Sequence, residues 1–233
     1  MVAHLIDDDP ELAHRHAVSA SRRAGRIAVV RETLAVTAYR TGDFALALRE
    51  LRTYRRISGS DEQLPLMVDS ERGVGRPERA LELGRSVDRS KLSPGVQATL
   101  AIAMSGARLD LGQTALALSE LQIPQLDPTV AFSWSPGLFD AYAEVLEELE
   151  RHDEAEVWRS RAEVAAAALD EADRVDENET IMVVEEEHEQ EQPLEIGDTA
   201  DEGSQDAPRD DDVSEEHTHD DQEAVDGAAP SHD

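Results

Sequence analysis

The sequence predicts an all-α chain: an α-solenoid of stacked helical hairpins over residues 1–170, followed by a disordered acidic tail over residues 171–233. Three observations lead there. Apolar residues recur at helical spacing on both sides of short Gly-containing turns. Those turns return at a nearly constant interval. The negative charge is segregated to one end of the chain.

The clearest hairpin is "RETLAVTAYRTGDFALALRELRTY", residues 31–54. Gly42 permits the positive φ that ends the first helix, and Asp43 can cap the exposed amides of the second. The same punctuation returns around Gly75 in "RGVGRPERALEL", around Gly112 in "LDLGQTALALSEL" and around Arg151 in "ELERHDEAEVW", where the glycine is missing. A weaker copy, "IDDDPELAHRHA", opens the chain. The alanine after each turn serves as a ruler: Ala13, Ala47, Ala80, Ala117 and Ala155 lie 34, 33, 37 and 38 residues apart. A small residue belongs where two helices cross closely, because a larger one would push them apart.

This spacing resembles the tetratricopeptide repeat family, whose unit is a helix-turn-helix of about 34 residues with the pattern W-x2-L-G-x2-Y, then A-x3-F, then P. The second unit carries Leu34, Ala35, Ala38, Ala47 and Leu51, with Arg31 at the usual Trp position and Gly59 at the usual Pro. The third reads Leu64, Met67, Val68, Ala80 and Gly84; the fourth Ala101, Met104, Ser105, Ala117 and Leu121. In the fifth, Phe139, Tyr142, Ala143, Leu146, Ala155 and Ala162 fall in register. Residues 30–59 and the following "GRPERALEL" are also similar to actinobacterial members of the family whose role is unassigned. The resemblance implies about four and a half hairpins in a right-handed superhelix, the first hairpin incomplete because Met1 to Ile6 supplies only the end of its first helix.

Helix boundaries are marked by residue chemistry. Ser93-Pro94 and Ser135-Pro136 each set a capping hydroxyl before a proline at the first helical position. Ser60 and Gln63 fit a capping box, with Pro65 then inside the first turns, where it would bend the helix. The linker "LQIPQLDPTVAFSW" is long for a repeat junction and reads as a tolerated insertion or as a loop that widens one edge of a groove. The last helix runs on through "EVWRSRAEVAAAALDEADRV", charged enough on its outer side to cap the array.

In such an array the first helix of each pair lines a concave face, the usual binding surface. The motif register assigns Val29, Glu32, Val36, Tyr39 and Arg40 to it in the second unit, and Asp69 and Arg72 in the third. The fourth contributes Thr99, Ile102, Leu109 and Asp110, and the fifth Asp140, Glu144 and Glu147. The groove thus runs from apolar and cationic to acidic. Tyr39 and Arg40 beside valines suit a peptide or protein segment with an apolar anchor and a carboxylate, although Val29 and Val36 can equally serve to pack neighbouring units. The clamp with which some family members grip chaperone tails needs Lys and Asn on successive first helices. Here the single lysine, Lys91, falls between units, and the single asparagine, Asn178, lies in the tail.

Charge provides a second feature. Between Arg15 and Arg56 ten arginines face Glu32, Asp43 and Glu50, a local excess of +7 in a chain of net charge −30. Arg15, Arg22, Arg23, Arg26, Arg52, Arg55 and Arg56 form the candidate basic patch. It reads as a solvated helix face, as a docking surface for the chain's own acidic tail, or as a nucleic-acid site. The last is opposed by residues 171–233, which hold 25 Asp or Glu against Arg174 and Arg209 and would compete for the same cations while repelling phosphate. As an alternative function, the chain would be an Arg-mediated nucleic-acid or ribonucleoprotein adaptor with the tail as an autoinhibitory phosphate mimic. Within the tail, Ile181, Met182, Val183 and Val184 form a short β-prone run before three glutamates, of the kind that adds a strand to a partner or fills a groove.

Composition excludes several classes. There is no cysteine, so no disulfide and no thiolate metal site. The first residues turn acidic too soon for a signal peptide, and no run approaches the roughly 20 apolar residues of a membrane span, so a soluble cytoplasmic protein without membrane partners is expected. No Gly-rich phosphate loop, nucleophile elbow or metalloprotease helix is present. His14 and His16 sit at i, i+2 and share no helix face, while His217, His219, Asp220 and Asp221 have no folded surroundings to hold a metal firmly. The expectation is a non-catalytic scaffold without cofactor or metal.

Overall fold

The computed structural model describes residues 2–177, which are all-helical: ten α-helices and one 3-10 turn, with no strand among the described residues. The helices are α1 (Val2–Asp8), α2 (Pro10–Ala24), α3 (Ala28–Arg40), α4 (Phe44–Ser58) and α5 (Leu64–Gly73), then α6 (Pro77–Arg85), α7 (Pro94–Asp110), α8 (Thr114–Leu121), α9 (Ser135–Glu148) and α10 (His152–Glu177). The 3-10 turn, Arg89–Lys91, precedes α7. Helices pair in chain order: α1 with α2, α3 with α4, α5 with α6, α7 with α8 and α9 with α10. Each substantial contact among the described residues joins helices one or two places apart, and α7 also packs on α5 and on α9 across the pairs.

The turns inside the last four pairs are copies of one another. Asp43 N–H bonds to the Ala38 carbonyl at 2.9 Å and Gly42 N–H to that of Tyr39 at 3.0 Å. Arg76 and Gly75 repeat this with Glu71 and Arg72, Gln113 and Gly112 with Arg108 and Leu109, and Arg151 and Glu150 with Leu146 and Glu147. This is the closure in which one residue past the helix takes a left-handed conformation and the last carbonyls are satisfied. Gly42, Gly75 and Gly112 hold φ of 80°, 73° and 68°; where glycine is missing, Glu150 is bent to the same shape at φ 60°. Asp43 caps α4 by accepting from Leu46 N–H at 3.0 Å, and Asp9 caps α2 by accepting from Leu12 N–H at 2.9 Å.

The five ruler alanines are all 0% exposed. Every residue used to set the repeat register, from Leu34 in α3 to Ala162 in α10, is buried. Gly84 follows the same logic: a Cβ there would stand 2.6 Å from the Met104 sulfur. The core runs along the chain as successive clusters, around Leu48 and Leu51, then Leu81 and Leu100, then Leu121, Leu138 and Leu146. Each fully buried Leu, Met or Phe contributes about 1.5–3 kcal/mol, so removal of any one is felt locally.

Two caps differ from expectation. Helix α5 begins at Leu64, not after Ser60, so Pro65 occupies the first turn, where its missing N–H has no intrahelical partner to lose. Ser60 Oγ instead accepts from Glu62 N–H at 3.2 Å in a tight turn. Ser135 is the first residue of α9, not its cap; its hydroxyl turns back to accept from Phe132 N–H at 3.0 Å. Ser93 behaves as expected, accepting from Val96 N–H at 3.4 Å. The linker between α8 and α9 is pinned by its apolar residues: Ile123, Leu126 and Trp134 pack against the last large core cluster. Helix α10 continues to Glu177, past the domain boundary drawn at residue 170. No helix among the described residues is long and apolar enough to cross a membrane. The Ile181–Val184 run, Asn178 and the His217–Asp221 group lie outside the described residues.

Candidate functional site

The first helices of three consecutive pairs, α3, α5 and α7, enclose a cleft of about 520 Å³, within the range of ordinary ligand sites. Val36 and Tyr39 of α3, Pro65, Leu66 and Asp69 of α5, and Val96, Thr99, Ile102 and Ala103 of α7 line it, with Glu62 and Gln63 at the entrance to α5. Its floor is apolar and its polar groups cluster at one end and at the mouth. Each helix supplies a stripe at i, i+3 or i+4, which is how a helical face meets a groove.

A polar network closes one end. The Tyr39 hydroxyl donates to Asp69 Oδ2. Arg72 donates to Asp69 Oδ1 at 2.5 Å, and its Nε and Nη2 donate to Asp110 at 2.8 and 3.2 Å. One guanidinium therefore ties the middle of α5 to the end of α7. Gly106 makes this possible, since a Cβ on it would stand 2.4 Å from Arg72 Cζ. Burial and then the bond to the Asp69 carboxylate push the Tyr39 phenol up to about 12, while nearby Arg72 and Arg40 pull weakly the other way. For Arg72 burial opposes the charge, yet the carboxylates of Asp110 and Asp69 outweigh it and hold the guanidinium above its ordinary value.

Five of the residues assigned to the groove from the sequence meet in this cleft: Val36, Tyr39, Asp69, Thr99 and Ile102. Arg72 and Asp110 form the network beside it, and Glu32 is held at the mouth, accepting from Gln63 Nε2 at 2.6 Å. Others go elsewhere. Val29 is 58% exposed at the start of α3; Arg40 turns to Asp7 at 3.0 Å; Leu109 packs into the core shared by α7, α8 and α9. Asp140 and Glu144 are exposed on α9, where Asp140 lines a separate shallow recess with Arg159 and Glu163 of α10, and Glu147 pairs with His152 and Arg159.

The cleft also uses residues the sequence reading passed over. Leu66 and Pro65 precede Asp69 by three and four positions, and Val96 and Gly95 stand in the same relation to Thr99; extending each groove residue by one turn would have found them. Gly95 is backed by the inter-pair linker, since a Cβ there would stand 3.1 Å from the Trp134 ring. Trp134 in turn stacks on Phe132, with centroids 4.6 Å apart and planes 8° from parallel. The linker thus buttresses the α7 wall.

The basic patch is smaller than its composition suggests. Arg52 pairs with buried Glu71 at 2.7 Å and Arg55 with Asp61 at 2.6 Å. Arg31 and Arg49, outside the patch, both hold buried Glu50, at 2.6 and 3.0 Å. Arg15, Arg22, Arg23, Arg26 and Arg56 are exposed and make no ion pair with the described residues. Among the described residues no three His, Asp or Glu side chains converge as metal ligands. No protein-family model and no curated protein sequence matches the chain.

Proposed function

We propose that this chain is a non-catalytic protein-binding scaffold: a tetratricopeptide-like α-solenoid over residues 1–170 that takes a peptide or protein segment in the cleft of α3, α5 and α7. The observation that carries the reading is the cleft itself, assembled from the first helix of three successive pairs. Support for the repeat architecture comes from the fourfold turn closure, the buried alanine ruler and packing restricted to near neighbours in the chain. A site that presents apolar surface with a few fixed polar groups, and no cluster of reactive side chains, suits recognition better than catalysis. The cytoplasm is the setting proposed for it.

The nucleic-acid alternative loses weight with the arginines. Several of those between Arg15 and Arg56 are spent on Glu50, Glu71, Asp61 and Asp7, and phosphate binding scales with the number of free cations. The test is a random dodecapeptide library panned on the full chain. Thr99 is exposed on the cleft wall, so Thr99→Trp fills the cleft without disturbing the core. Selected peptides should compete with one another and lose at least tenfold in affinity for Thr99→Trp. Binders indifferent to that substitution would remove the cleft from the proposal.

A further inference from the structure

Resting on that reading, the charges around the cleft specify its partner further. Among the described residues the only cation ion-paired to the cleft's lining, Arg72, is saturated: Asp69 holds one side and Asp110 the other. Arg40, expected to greet a carboxylate, is turned to Asp7. What is left unneutralised is acidic. Glu62, at the mouth, makes no ion pair with any described residue, and Glu32 meets only the neutral amide of Gln63. The network at one end of the cleft, two aspartates and one arginine, carries a further net negative charge. The floor is apolar, with Val36, Leu66, Val96 and Ile102.

We infer that the partner is a peptide segment in which one apolar side chain is flanked by Lys or Arg, the apolar group seated on the floor and the cations on Glu32 and Glu62. A carboxylate-bearing ligand, the chemistry the sequence alone favoured, would meet like charge at the mouth and no free donor cation. An apolar anchor in a dry pocket supplies most of the affinity, while rim charges set partner choice and association rate.

Three labelled nine-residue peptides test this by fluorescence anisotropy on the full chain, at about 50 and 150 mM salt. One has a central leucine flanked by arginines, one a central serine in the same arginine context, and one a central leucine flanked by glutamates. The arginine–serine peptide measures charge attraction without the apolar anchor, that to the acidic C-terminal sequence included. The arginine–leucine peptide should bind about tenfold tighter than it, and that gain should vanish in Thr99→Trp. It should also fall about three- to tenfold in the doubly substituted Glu32→Gln, Glu62→Gln chain. If the glutamate–leucine peptide binds equally well and remains sensitive to Thr99→Trp, the cleft binds peptides but the charge inference is overturned. If leucine adds nothing in either context, or Thr99→Trp changes no affinity, the inference and the cleft reading fall together.

Discussion

The pairs α3–α4 and α9–α10 share one turn geometry and a buried crossing alanine, and differ in the residue that makes the turn and in the groups that fill the interior. In the first, Gly42 takes the left-handed position at no steric cost, and a buried carboxylate, Glu50, is gripped by Arg31 and Arg49. In the second, Glu150 is forced into that conformation, and the interior is aromatic. Trp158 meets Phe139 and Tyr142 edge to face, with centroids 5.3 and 4.9 Å away, and Arg161 lies 4.5 Å over its ring. The comparison teaches that the hairpin geometry belongs to the backbone and to the small residue at the helix crossing. Glycine lowers the cost of the turn without being its cause, and the packing chemistry is free to vary.

The strongest way to break that equivalence is to enlarge the crossing residue in both pairs. Ala47→Leu and Ala155→Leu should each destabilise the chain by about 3 kcal/mol, because both sites are closed on every side. Urea unfolding measures this. A tolerated Ala155→Leu beside a damaging Ala47→Leu would show that the last crossing is not a copy of the others.

A smaller effect separates their chemistries. Glu50→Ala removes the acceptor for Arg31 and leaves a half-buried guanidinium with only the Gly25 carbonyl, at a cost of about 2 kcal/mol. In the last pair, Glu154→Ala breaks the Arg151–Glu154 pair in full solvent and should leave the unfolding midpoint unchanged. Equal losses would mean that the buried ion pair does not distinguish the first hairpin.

Smaller still is the turn itself. Gly42→Ala should cost about 1 kcal/mol and Glu150→Gly should return a similar amount, a shift of about 2–4 °C in Tm in opposite directions. A Glu150→Gly chain that melts lower would show that Glu150 contributes more through its side chain than its conformation costs.

The mildest test lies in the cleft. The folded Tyr39 phenol titrates near 12 while an unfolded tyrosine loses its proton near 10, so between these values the unfolded state binds fewer protons and stability falls as pH rises. Below pH 10 that contribution is fully present. Tyr39→Phe should flatten this decline, and the difference in absorbance near 295 nm between the two chains should place the late phenolate step at Tyr39. A step near 10 would mean that the bond to Asp69 does not persist in solution.

Much of this was legible in advance, because the determinants are local. Gly42, Gly75 and Gly112 announce left-handed turns, and Ala13 to Ala155 announce close crossings, since positive φ and missing volume are properties of single residues. Val36, Tyr39, Asp69, Thr99 and Ile102 were assigned to the groove by the motif register of the resemblance, since helical period groups residues only within one helix. The start of α5 was misread because Ser60 and Gln63 satisfy a capping pattern that a competing tight turn also satisfies.

The sequence by itself settled the helices and the turns that join them: backbone conformation and apolar period act over one or two turns of chain. Only the tertiary structure decided the charge the cleft presents. Arg72 and Asp110 lie 38 positions apart, and Arg40 and Asp7 lie 33 apart. Whether a guanidinium is free for a partner depends on which carboxylates arrive within about 3–4 Å of it, and ion pairing falls off over distances that chain order does not encode.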